Sequence, residues 1–335
     1  MKALVLEKIG DIKELKNNLV VKEIYAPVPK ENEVIIKLNY ASLNHRDLWI
    51  TKGMYAGIKT PVVLGSDGAG VVAKGMGGNV KEGGEVIINP TIDWGDNQDF
   101  QNKNFRILGL PDNGTLAEYV CVPGKNIYKK PQHLDLKEAS AIPLAGLTAY
   151  RACFVKGNIS KGDNVLITGI GGGVAAFALQ YSVAAGANVF VTSGSNEKIE
   201  FAIKHGAIGG INYHDDGWEK RFKEIHPKIN VVIDGAGGDT LAKCLDICTE
   251  GGTIVSYGAT LLAVKNFEIR KVFWKQLKIF GTTMGSDKDF SDMLNFIEKN
   301  KIVPIIDSEY SIENGADAFL RMDSGEQVGK IVIRI

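Results

Sequence analysis

The stretch 164–198, NVLITGIGGGVAAFALQYSVAAGANVFVTSGSNEK, constrains the fold more than any other part of the chain. Residues 165–168 form an apolar, β-rich run that meets glycines at Gly169, Gly171, Gly172 and Gly173. From 175 to 185 the apolar spacing is helical, and Gly186 ends it. Residues 188–192 then supply a second strand. Strand, tight turn, helix and strand within about 30 residues make a βαβ unit, with glycines where a dinucleotide pyrophosphate rests on a helix N-terminus. Glycine suits that turn because a Cβ would hold the phosphate away from the backbone N–H groups. Read as G-x-G-x-x-G from Gly169, the pattern keeps Gly171, places Gly173 one residue early, and has Val174 where the third glycine is expected. A βα turn that binds nothing is the alternative, and the order of two strands and a helix weighs against it.

The end of the second strand bears on which nucleotide binds. An acidic residue there would accept hydrogen bonds from the ribose 2′-OH of NAD, whereas this chain has Ser193, Gly194 and Ser195, followed by Lys198. No carboxylate is expected to repel a 2′-phosphate, and hydroxyls with an ammonium suit one. The residues therefore predict NADPH over NADH, the alternative for Lys198 being a solvated lysine in the first turn of a helix.

At 335 residues the chain is long enough for about two domains and a substantial core. Its 39 basic and 39 acidic residues balance, with no long run of either sign, so nothing suggests a nucleic-acid or anionic-membrane surface. The N-terminus turns charged within a few residues and reads as a strand of the fold. No apolar run reaches the roughly 18 residues of a membrane span, so a cytoplasmic location is expected. Cysteines at 121, 153, 244 and 248 form no C-x-x-C pair, and a reduced compartment without disulfides is the default. Cys153 has no neighbouring histidine and is a poor nucleophile candidate.

Residues 1–128 are β-rich, with short apolar alternations at 2–6, 33–38, 69–73, 85–89 and 116–122, and suggest a compact barrel-like domain. The segment 93–112 is polar, aromatic-spotted and too long for an ordinary connection. From about 134 helices and strands alternate, which predicts a parallel, doubly wound sheet. A helix is expected at 290–300 and a closing strand at 330–335.

Several further motifs converge on one family: SLNHRDLWITKGMY (42–55), PVVLGSDGAGVV (61–72), DNGTLAEYVCVP (112–123), PLAGLTAYRA (143–152), INY (211–213), VVIDGAGG (231–238), GGTIVSYG (251–258) and EQVGKIVIRI (326–335). In order and spacing the chain resembles the medium-chain dehydrogenase/reductase superfamily over essentially its whole length, and specifically its zinc-free quinone oxidoreductase branch. The resemblance implies an α/β protein. A GroES-like β-barrel domain (1–128, completed by 285–335) would surround a Rossmann domain (129–284), with the active site in the cleft between them. The positions matching the catalytic-zinc ligands of related alcohol dehydrogenases carry Asn44 and Ser66, neither a strong zinc ligand, and the lobe at 93–112 lacks the four cysteines that hold a structural zinc in those relatives. No metal is expected.

By resemblance, Asn44 contacts the nicotinamide ribose or the substrate, Asp47 organises the same loop, Trp49 and Tyr55 flank a planar substrate, and Thr148 approaches the nicotinamide. Buried core aromatics are the alternative for the tryptophan and tyrosine. Tyr213 matches a tyrosine that lies against the adenosine phosphate in NADPH-using members, while Gly235 and Gly258 fall at strand ends where ligands of open sheets lie. Lys330 is a candidate cofactor contact, with a solvated strand residue as its alternative. His45 adjoins Asn44 and is not counted as catalytic.

Without a metal, reduction of an already electrophilic acceptor remains feasible. Hydride passes from the nicotinamide to a quinone or α,β-unsaturated carbonyl, and the Asn44 amide is the candidate donor to the developing oxyanion. A zinc-dependent alcohol dehydrogenase with atypical ligands and an NADPH-binding protein with little turnover are the competing readings. The apolar, aromatic stretch 261–280 is the expected homodimer surface.

Overall fold

Short β-branched and apolar runs, broken by glycine and proline, build the first part of the chain in the computed structural model, which describes residues 1–335. β1 (Lys2–Leu6) is followed by α1 (Leu15–Asn18), β2 (Leu19–Glu23), β3 (Glu33–Ser42) and α2 (His45–Thr51). Then come β4 (Val62–Val63), β5 (Asp67–Lys74), β6 (Glu85–Ile88), β7 (Thr91–Ile92), β8 (Arg106–Ile107), β9 (Tyr119–Pro123) and β10 (Ile127–Lys129). Two short helices, α3 (Leu136–Ser140) and α4 (Pro143–Tyr150), close this part, and α4 runs on as a π-helical stretch, Arg151–Lys156.

The βαβ periodicity read from the sequence is realised as β11 (Asn164–Ile167), α5 (Gly173–Ala184), β12 (Asn188–Ser193), α6 (Asn196–Lys204), β13 (Gly209–Asn212) and α7 (Trp218–Ile225). It continues through β14 (Ile229–Asp234), α8 (Gly238–Ile247), β15 (Cys248–Ser256), α9 (Ile269–Trp274) and β16 (Lys278–Gly281). All six strands are parallel, in the order β13-β12-β11-β14-β15-β16. Such strands are covered on both faces, which is why Val165, Leu166, Ile167, Val189, Phe190, Val191, Val232 and Ile233 are continuous apolar runs and all buried. The order reverses between β11 and β14, the switch point at which open α/β sheets bind nucleotides.

The chain ends with α10 (Asp287–Asn300), β17 (Ile306–Ser311), α11 (Gly315–Asp323) and β18 (Lys330–Arg334), which join the first part. β18 runs parallel to β17 and antiparallel to β3, in the sheet order β10-β6-β5-β3-β18-β17 with β9 also on β3. The final strand is thus an interior strand. Its Ile331 and Ile333 share a core with Leu43, Leu48 and Ile50 from around α2, Leu4 and Leu6 from β1, and Phe319 from α11. That shared core fixes α2 against β18.

Two units result, Met1–Leu147 with Gly285–Ile335, and Thr148–Met284. Residues 129–147, which the sequence assigns to the nucleotide-binding domain, belong to the first unit. The physical reason is a set of buried polar contacts: the Ser42 hydroxyl donates to the Ser140 carbonyl (2.9 Å), and the Leu144 N–H donates to Asp67 (2.8 Å). The segment 93–112 is also more ordered than a loop. β7 pairs with β8, Trp94 packs edge-on to Phe105 at 5.5 Å, and Arg106 bridges Asp93 and Asp112.

Candidate active site

The loop between β3 and α2 places Asn44 at the N-terminus of α2, where its backbone carbonyl accepts from Asp47 N–H (2.8 Å) and the Asp47 carboxylate accepts from Asn44 N–H (2.9 Å). This reciprocal pair satisfies donors that a helix start leaves open. Asp47 is fully buried. Burial drives its carboxyl above the usual carboxylate range, and Arg46 and the Asn44 N–H only partly oppose it.

Lys330 enters this loop from β18. Its ammonium donates to Leu43 O (2.7 Å), Asn44 Oδ1 (2.7 Å) and Asp67 Oδ2 (2.9 Å). An ammonium has three donors, and all three are used. Only 3% exposed, Lys330 is not the solvated strand residue that the sequence offered as an alternative, because an ion pair with buried Asp67 holds it inside.

Asn44 Nδ2 donates in turn to Asp67 Oδ2 (2.9 Å), which lies 3.1 Å from the Ser42 hydroxyl oxygen. The amide is therefore fixed in orientation, since a flip would set its NH2 against the Lys330 ammonium. One N–H of the Asn44 amide remains for a ligand. The neighbouring Ser66 Oγ lies between the Arg46 guanidinium (2.7 Å) and Leu108 O (2.8 Å).

Trp49 is half-buried under the Lys52 ammonium, 5.7 Å from its ring, and Tyr55 is exposed with the Arg46 guanidinium 5.1 Å over its ring. Neither is the buried core aromatic of the alternative reading. Thr148 is buried in α4, in the second unit. Cys153 is also buried, and that pushes its thiol up to about 12.

In the second unit the turn after β11 is shaped for backbone exposure. Gly169 and Gly171 have left-handed φ of 65° and 135°, and a Cβ on Gly169 or Gly172 would meet nothing within 4 Å. Gly172 begins α5 with no side chain capping it, Gly173 is its first residue, and Val174 follows half-buried. An open, uncapped helix start beside bare glycines fits a pyrophosphate. The turn is pinned by Ile170 N–H on Thr192 O (2.8 Å) and Gly169 N–H on Thr192 Oγ1 (3.2 Å).

The switch point carries a residue that motif reading passed over. Asp234, buried at the end of β14, accepts from Thr168 Oγ1 (2.7 Å), Ala236 N–H (3.3 Å) and Gly237 N–H (3.1 Å). Burial raises its carboxyl pKa, and the Thr168 hydroxyl is the foremost opposing contact. Gly235 and Gly258 lie together beside it: a Cβ on Gly258 would come 3.0 Å from Gly235 O, and one on Gly235 would strike the Tyr257 ring at 2.4 Å.

At the end of β12, Ser193 is buried and its hydroxyl accepts from Ser195 N–H (3.2 Å). Ser195 caps α6, accepting from Lys198 N–H (3.3 Å), and its hydroxyl donates to Glu197. The expectation that no carboxylate stands near this strand end is thereby corrected, because the first turn of α6 brings Glu197 back onto the serine. Lys198 and Tyr213 are both half-buried, and Tyr213 is tied to Ser193 O through its N–H (3.0 Å).

The two units and these two loops define a dehydrogenase/reductase architecture, and the chain belongs to the medium-chain dehydrogenase/reductase superfamily. Residues 30–132 match the alcohol dehydrogenase GroES-like domain, and residues 173–299 match the family described as zinc-binding dehydrogenase. The chain is 36% identical over 331 residues, 92% of each chain, to a zinc-type alcohol dehydrogenase-like protein of Leptosphaeria maculans. It is 27% identical to the quinone oxidoreductase of Pongo abelii, over 99% of this chain and 97% of that one. The crystal structure of an NAD-dependent alcohol dehydrogenase superposes with a TM-score of 0.92 at 32% identity, covering 100% of both chains. The protein is thus an oxidoreductase of this superfamily.

Proposed function

We propose that the chain is an NADPH-dependent reductase of quinones or α,β-unsaturated carbonyls that works without zinc. The observation that carries this reading is the Asn44 amide, locked by Lys330 and Asp67 with one N–H left to donate. A bound NADPH supplies the hydride. The protein's part is to orient the acceptor, exclude water and stabilise the oxygen that turns negative, a task for which a preorganised amide N–H is suited. Trp49 and Tyr55 offer ring faces to a flat acceptor.

The open turn at Gly169, Gly171, Gly172, Gly173 and Val174 would hold the pyrophosphate. Gly235, Gly258 and Thr148 would serve the nicotinamide half, and Ser193, Gly194, Ser195, Lys198 and Tyr213 the phosphorylated adenosine. Lys330, its donors spent, acts by positioning Asn44 rather than by touching the cofactor.

A zinc ion does not fit the residues around Asn44. Asn44 Oδ1 already faces an ammonium, Ser66 already faces a guanidinium, and no three His, Cys, Asp or Glu side chains converge anywhere in the chain. A divalent cation there would meet two resident positive charges. The name of the Leptosphaeria maculans relative points to a second reading, a zinc-dependent alcohol dehydrogenase, and elemental analysis separates the two. Stoichiometric zinc together with alcohol oxidation would overturn the proposal. The decisive assay mixes the protein with NADPH or NADH and 1,4-benzoquinone or 9,10-phenanthrenequinone and follows the absorbance of the reduced nicotinamide. Turnover with a preference for NADPH is expected, and binding without turnover across quinones and enals would leave only an NADPH-binding protein.

A homodimer through β16 and α9 belongs to the same reading. All four residues of β16 are exposed at the sheet edge, and Trp274 is 83% exposed beside Phe273. No helix is long and apolar enough to cross a membrane, and the four free thiols suit a reducing cytoplasm.

A further inference from the structure

Gly194 is crowded although it is not in a left-handed conformation. A Cβ there would come within 2.7 Å of Tyr213 Oη and 2.8 Å of His214 Nε2. Its bare Cα therefore serves to make room for a phenol oxygen and an imidazole nitrogen, both able to donate hydrogen bonds, brought against the end of β12 by the turn after β13. That approach is built into the backbone. Besides the Tyr213 contact to Ser193, His214 N–H donates to Asn212 Oδ1 (3.0 Å), and Asn212 Nδ2 donates to Asn196 Oδ1 (3.0 Å) and Gly194 O (3.4 Å). Tyr213 and His214 then pack edge to face with ring centroids 4.7 Å apart.

The end of the second strand of such a unit is where the adenosine ribose lies. Two of the groups expected to greet a phosphate there are engaged elsewhere: the Ser193 hydroxyl is buried, and the Ser195 hydroxyl is turned onto Glu197. The donors left in place come from the neighbouring turn.

We infer that His214 is a specificity-determining residue, its Nε2 binding the 2′-phosphate of the cofactor beside Tyr213 and Lys198. The inference rests on the NADPH reading given above. Either the neutral Nε2–H tautomer or the imidazolium can donate from this position. His214 is exposed, so replacing it leaves the core untouched.

The test is calorimetric titration of the full-length protein with 2′,5′-ADP and with 5′-AMP. The wild type, His214→Ala and His214→Gln are compared, the glutamine keeping an N–H donor. The wild type should bind 2′,5′-ADP the more tightly. His214→Ala should lose about tenfold of that affinity, the worth of one hydrogen bond to a charged group, and keep its affinity for 5′-AMP. His214→Gln should recover part of the loss. If His214→Ala leaves the ratio of the two affinities unchanged, or weakens both nucleotides equally, His214 has no part in selection while the NADPH reading stands. If the wild type itself shows no preference for 2′,5′-ADP, the NADPH reading falls and this inference falls with it.

Discussion

The loop around Asn44 and the turn around Gly169 solve the problem of presenting an N–H group in opposite ways. In the first unit, the amide is a side chain held by buried charge: Lys330, Asp67 and Asp47 are all nearly or wholly inaccessible. In the second, backbone is presented, and the residues matter for what they lack, since glycines leave open space over the helix start. The charged loop couples its function to stability, because any change there strands a buried ion. At the glycine turn and the β12 end no charged side chain is buried, so selectivity there can change with little effect on folding.

The sharpest way to break that contrast is Lys330→Met. It strips Asp67 of its counter-ion, and breaking a buried pair from one side costs about 3–5 kcal/mol. Urea unfolding of the variant should register a loss of that size, with Lys330→Met/Asp67→Asn recovering much of it. A small loss would mean that the loop is not held by charge. Asn44→Ala should lower turnover of 1,4-benzoquinone about 10²-fold, as removal of an oxyanion donor does, while NADPH affinity measured by fluorescence stays within a few-fold.

On the other side of the comparison, Lys198→Ala should raise the KM for NADPH about tenfold, leave that for NADH unchanged, and leave the unfolding curve where it was. An equal rise for both cofactors would place Lys198 outside phosphate recognition. The smallest effect expected is on acid stability. Burial would raise the Asp307 carboxyl pKa, but Arg321, the Val328 N–H and Ser308 outweigh it and hold the pKa below the usual value. A depressed folded pKa contributes stability above the unfolded value of about 4 that is lost as the pH falls through the folded one. Asp307→Asn should flatten the stability profile over that acid range, and identical slopes would show the pair to be idle.

The parallel sheet was legible because its strands are apolar throughout and its glycines punctuate them. The motif around Asn44 makes that residue a candidate. The partners that hold it were not legible, because Lys330 lies on a strand whose charge looks solvated until β18 is found between β3 and β17. That residues 129–147 group with the first unit was hidden for a related reason. Their helical periodicity says nothing of the buried contacts to Ser42 and Asp67 that draw them into the first unit. Glu197 and His214 escaped because strand ends were read linearly, whereas the helix start folds one residue back and the neighbouring turn brings the other alongside.

The interior place of β18 also sets the order in which the protein can become competent during synthesis. The ammonium that orients Asn44 lies 286 residues beyond it, so the whole nucleotide-binding segment leaves the ribosome before that ammonium does, as one uninterrupted piece. The amide gains its fixed direction only when the last strand has slotted in beside β3. A nascent chain stalled before that point would carry a finished glycine turn and an untethered residue 44.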